Sequence, residues 1–300
     1  MLQELRLEQI NYVMKNATHV KVNQNKLDEW ALSLKDMVYV HPWKKYKDNF
    51  TEKEIIILSF IIESMNFCFW KEPMFEYKNQ KRSTAMTDKY IDLAKEDKRL
   101  VDINYLINLT YEDLINIFGM EEGNLKKRYD SLMYTVSKIY NDKNFFDNLF
   151  NIKSCDELTK LIVSFDNFND VSTYKGKEIY FYKRATLLVN DLYELSDTIH
   201  NNIKNIDSVL GCADYVIPRG LREFGILEYD NELANLIDNN IEIEMNSEYE
   251  VEIRAATLYV IEYVKNKNDK TISSIKWDCI IWNYFRGKGG IAHKTDTIFY

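Results

Sequence analysis

The chain has 300 residues, 46% hydrophobic and 14% aromatic, which excludes a disordered polymer and suffices for a sizeable core. Its formal charge is −8 with no basic stripe, which argues against a grip on long nucleic acid and leaves room for one small anionic ligand. Only 9 glycines and 3 prolines punctuate it, so long helices are favoured over many tight hairpins.

The first residues, "MLQELRLEQINYV", lack the apolar centre of a secretory signal. The cysteines, Cys68, Cys155, Cys212 and Cys279, are scattered without a C-x-x-C pair, and the histidines lack metal-ligand spacing. Free thiols in a reducing cytoplasm and no metal are therefore expected. His41, in "YVHPWK", reads either as a surface or capping histidine or as a ligand contact. Thr51-x-x-Glu54 has the form of a capping box and opens the most apolar run, "IIILSFIIESMNFCFW" over 55–70. Glu63 and Asn66 interrupt that run, and it is short for a membrane span of about 20 residues; a core helix is predicted.

Further along, 120–140 has the pattern of an amphipathic helix, and Ser154-x-x-Glu157 forms a second capping-box pattern before "LTKLIV". "TYKGKEIYFY", 173–182, offers the best β-hairpin, turning at Lys175–Gly176. In 181–195, Ala185, Leu188, Val189 and Leu192 keep helical spacing, as do Ile253, Ala256, Val260, Ile261 and Val264. No linker, repeat or low-complexity segment divides the chain, so residues 1–300 read as one mainly α domain with at most a short β-hairpin.

Four clusters could carry chemistry. Asp214 follows the small, uncharged run Gly211–Cys212–Ala213 and precedes Pro218. It reads as a helix N-cap, as a carboxylate in a confined pocket acting on a developing cation, or as both. Lys183 and Arg184 open a helix that also carries Asp191, and Arg254 begins another. These cations either form internal pairs, Arg184 with Asp191 and Arg254 with Glu250 or Glu252, or converge on a phosphate. In "SIKWDCIIWNYF", 274–285, Trp282 stands one helical turn beyond Asp278. They are either core tryptophan and solvated acid, or a stacking ring and a carboxylate suited to the N–H donors of a guanine-like edge.

Taken in order, "NFCFW" (66–70), "STAM" (83–86), "FDNFND" (165–170), "YKGKEIYFYKRA" (174–185), "ADYVIP" (213–218), "LEY" (227–229), "EVEIRA" (250–255) and "HKTDTIFY" (293–300) resemble the queuosine salvage protein family, the queuosine 5′-phosphate N-glycosylases. The resemblance runs from about residue 41 to the last residue. It implies a helical fold similar to helix-hairpin-helix DNA glycosylases, and cofactor-free hydrolysis of queuosine 5′-monophosphate that releases queuine for reuse in tRNA. By the same resemblance, Asp214 is the catalytic aspartate, and Cys212, Tyr215, His41, Asp278 and Trp282 contact the base. Lys183, Arg184, Arg254 and His293 are the candidates for phosphate and ribose. The chain departs from the family pattern at Asn169, Val216 and Asp296, where arginine is usual, and at Thr186 and Arg219, where glutamine is usual. The family's terminal histidine pair is reduced to Ala292–His293. Two alternatives stay open: a DNA or RNA glycosylase acting on a flipped base, and a non-catalytic helical binder of a deazapurine nucleoside.

Overall fold

The computed structural model describes residues 1–300. It is mainly α-helical, with only two-stranded sheets. The helix Glu52–Met65 starts as expected: Thr51 accepts the Glu54 N–H, and the Glu54 carboxylate takes the Thr51 N–H at 2.7 Å. Its middle is buried on every side, the signature of a core helix. No helix is long and apolar enough to cross a membrane. Ser154 caps Cys155–Val163, but the Glu157 carboxylate reaches back to the Lys153 N–H, one residue earlier than a capping box requires.

The 120–140 pattern becomes a helix only from Leu125, Leu125–Asn141. Before it, Gly123 passes so close to another strand of chain that a β-carbon there would stand 2.5 Å from the Glu72 carbonyl oxygen. The hairpin forms between Val171–Tyr174 and Lys177–Tyr180, and Lys175 and Gly176 turn it with φ of 47° and 78°. It ends two residues earlier than the sequence pattern, because Tyr182 adopts a left-handed φ of 48° and leads into the helix Lys183–Leu195. A second pairing, Val20–Val22 with Leu227–Tyr229, joins distant parts of the chain and leaves no local sequence signal.

Three hydrophobic cores hold these elements together. One gathers the N-terminal helix Leu2–Asn16, the 20-residue helix Glu248–Lys267 and the helix Ser274–Phe285. Another surrounds Glu52–Met65 and Arg82–Glu96, and the third packs Lys183–Leu195 on Cys155–Val163. The segment 212–217 threads between all three: Cys212 belongs to the third core, Ala213 and Ile217 to the first, and Tyr215 packs on the second. A cavity opens at this junction.

Candidate active site

The cavity has a volume of about 440 Å³ and is lined by residues from His41 to Tyr300. Its floor is made by the segment before the short helix Val216–Glu223. There the Asp214 carboxylate caps the helix: Oδ1 accepts the Val216 and Ile217 N–H groups at 2.8 and 3.2 Å. Oδ2 accepts the Trp282 indole N–H at 3.0 Å. Asp214 is therefore a helix cap that also borders the cavity. Asp214 is only half-buried and faces the cavity.

Asp278 lies beside it, buried, with Oδ1 accepting the Cys212 N–H at 3.1 Å. Burial, and then the charge of Asp214, push Asp278 well above the ordinary carboxylate range. Cys212 donates its thiol hydrogen to the Lys183 carbonyl at 3.3 Å, and burial pushes that thiol up as well. It is an inert wall rather than a nucleophile. The Tyr215 hydroxyl accepts the Phe69 N–H at 3.3 Å, which ties the segment to the opposite side of the cavity. Lys183 is only 6% exposed and lines the cavity together with the acids Glu63, Asp191, Asp214 and Asp278.

His41 also lines the cavity. Its Nδ1 accepts the Trp43 N–H at 3.2 Å, so Nε2 carries the proton and donates to Asp191 Oδ1 at 2.9 Å. Asp191 thus pairs with His41 and not with Arg184, seven residues before it on the same helix. The other Asp191 oxygen is buried without a partner.

Three of the proposed phosphate and ribose residues lie outside the cavity lining: Arg184, Arg254 and His293. Arg184 binds the carbonyls of Glu63 and Ser64 at 2.9 and 2.6 Å, together with that of Asn167. It satisfies the C-terminal carbonyls of the buried Glu52–Met65 helix. Arg254 pairs with Asp170 and, at 3.1 Å, with Glu250. Glu252 turns away from it to receive the N–H groups of Thr18, His19 and Val20. Asp170 in turn accepts the Lys183 N–H at 3.0 Å, so Arg254 braces the wall from behind. His293 is buried behind Tyr300, and burial pulls it down to about 3, so it is neutral.

Several cavity residues carry little sequence signal. Glu63 and Asn66, the two interruptions in the apolar run, both face the cavity, and Asn66 Nδ2 donates to both Glu63 oxygens at 3.0 Å. Burial and Asp191 raise Glu63 to about 8. Ser83 and Thr84 come from the first turn of Arg82–Glu96, whose N-terminus has no side-chain cap. Lys45 and Arg286 stand exposed at the rim. A cluster with metal-like spacing, His19, Glu248 and Glu252, lies away from the cavity.

The arrangement is an anchored carboxylate, a second, buried acid beside it, and cations lining a cavity of about 440 Å³. It suits a reaction that develops positive charge on a small, largely enclosed ligand. A family profile described as queuosine salvage protein matches residues 45–300. The chain is 29% identical over 94% of its length to a queuosine 5′-phosphate N-glycosylase/hydrolase of Dictyostelium discoideum, again covering 94% of that protein. It is 30% identical to the protein of the same name from Sphaerobacter thermophilus, with 80% of each covered, and 28% identical to that of Bos taurus, with 83% of each covered. With the profile spanning most of the chain and the relatives aligning along most of their length, the chain belongs to the queuosine salvage protein family.

Proposed function

We propose that this protein hydrolyses the N-glycosidic bond of queuosine 5′-monophosphate and releases queuine, with residues 1–300 working as one unit. The observation that carries this reading is Asp214, fixed at both oxygens on the floor of the cavity. A 7-deazaguanine has carbon where a purine has N7, so the base cannot be made a better leaving group by protonation at that position. The barrier falls instead by stabilising the sugar. As the bond lengthens, positive charge develops at C1′, and a fixed carboxylate meets it without having to reorganise. At an effective dielectric near 20, opposite unit charges ~4 Å apart attract by roughly 4 kcal/mol, equivalent to about three decades in rate before desolvation is subtracted.

On this reading the C1′–N bonding pair leaves with the base. Asp214 either bonds to C1′ as an ester that water then hydrolyses, or orients the water that attacks C1′ directly. In both cases water gives its oxygen to C1′ and a proton ends on the departed base. Asp278 reads the guanine-like edge with His41, Cys212, Tyr215 and Trp282 around the base. The phosphate is assigned to the cations that line the cavity, Lys183 inside and Lys45 and Arg286 at the rim. Arg184 and Arg254 are assigned to the scaffold, because their guanidinium groups are already engaged, and His293 supports Tyr300. Incubation with queuosine 5′-monophosphate and detection of free queuine by mass spectrometry tests the reading. Asp214→Asn keeps the shape, removes the charge and is expected to abolish release.

A further inference from the structure

Trp282 belongs to the helix Ser274–Phe285, one turn beyond Asp278, and its ring edges the cavity. An aromatic ring beside a base suggests stacking, yet its only polar atom is committed elsewhere. The indole N–H donates to Asp214 Oδ2 at 3.0 Å. Asp214 Oδ1 is already held by two backbone N–H groups. Those two bonds grip one oxygen and leave the carboxylate able to swing about it, since the terminal torsion of an aspartate is broad. The indole supplies the second fixed point and so sets the carboxylate plane. A carboxylate offers about four lone-pair positions; with three donors in place, the free one is on Oδ2, the oxygen that Trp282 orients. The same helix also carries Asp278, a like charge whenever it ionises, so the element that could displace Asp214 brings the donor that holds it.

We propose that Trp282 is a positioning residue for Asp214, its indole N–H aiming Oδ2 at the sugar carbon, and that this outweighs any stacking of its ring on the base. The inference rests on Asp214 acting at the sugar. It is independent of which base is released.

Trp282→Phe keeps an aromatic ring and removes the donor. For queuine release from queuosine 5′-monophosphate, kcat is expected to fall about 10- to 100-fold while KM stays within about twofold. Benzothienylalanine at position 282 keeps the bicyclic ring and replaces only N–H by sulfur, so it should give the same loss without disturbing packing. In an Asp214→Asn background, where there is no charge left to aim, adding Trp282→Phe should leave the Kd for queuosine 5′-monophosphate within about twofold. Retained kcat with either replacement, or weakened binding in the Asp214→Asn background, overturns the proposal and returns Trp282 to a ligand-stacking role. Wild-type release and its loss in Asp214→Asn test the underlying reading separately. If those controls hold and the Trp282 replacements behave like wild type, only the positioning role falls.

Discussion

Gly220 lies flat against the ring of Phe285: a β-carbon built on it would stand 2.2 Å from both Cγ and Cδ1. This contact lets the helices Val216–Glu223 and Ser274–Phe285 approach closely enough for Asp214, just before the first, to reach Trp282 on the second. Gly220→Ala must push a buried ring or a helix aside. Overpacking of this kind costs about 1–3 kcal/mol, which for a chain of this size is a fall of roughly 2–10 °C in Tm. Both thermal denaturation and kcat are expected to drop, because the displaced helix carries the indole away from the carboxylate. An unchanged Tm with unchanged kcat would mean the two helices are not held at this spacing.

The cations divide into two functional groups, and stability measurements separate them. Arg254→Met leaves Asp170 and Glu250 buried without their partner, so it should destabilise the fold by about 3–5 kcal/mol. Lys183→Met removes a cation that faces the cavity and has acids around it. It should leave Tm within a few degrees and raise KM for the 5′-monophosphate instead. The opposite pattern would move the phosphate site behind the cavity wall.

Binding of the base should release a proton. Asp278 is raised well above its ordinary value in the free protein by burial and by Asp214. A guanine-like edge that donates N–H groups favours its ionised form, so the bound state holds fewer protons than the free state. Affinity for queuine is therefore expected to rise with pH, and calorimetry in buffers of different ionisation enthalpy should report proton release. Glu63, raised to about 8, and Asp191, also raised, line the same cavity. Asp278→Asn should remove its share of the released protons and weaken binding; unchanged proton release in that variant would remove Asp278 from base recognition.

Much of the helical frame is visible in the sequence, because helices carry their own signals: the Thr51 cap, the buried stripe of Lys183–Leu195, the turn at Lys175–Gly176. The site is only partly visible. Asp214, Asp278 and Trp282 stand out as polar or amphipathic residues in apolar surroundings, and they do share one cavity. Glu63 and Asn66 were equally legible as interruptions of an apolar run, but spacing along one helix cannot tell which cavity an interruption faces. Arg184 illustrates the opposite difficulty. Its position beside Lys183 suggests a paired cationic site, yet adjacent residues on a helix point about 100° apart. One therefore lines the cavity while the other reaches back to the carbonyls of Glu63 and Ser64. Convergence of distant segments, as in Val20–Val22 with Leu227–Tyr229, is written in no local pattern at all.

The measurement that bears most directly on the central claim is single-turnover release of queuine from queuosine 5′-monophosphate by wild type and by Asp214→Asn, with substrate binding followed in parallel. Wild type should liberate queuine, and Asp214→Asn should bind the nucleotide while losing up to about three decades of rate. Release by Asp214→Asn at the wild-type rate would contradict the account, because the negative charge at the floor of the cavity would then play no part in breaking the bond.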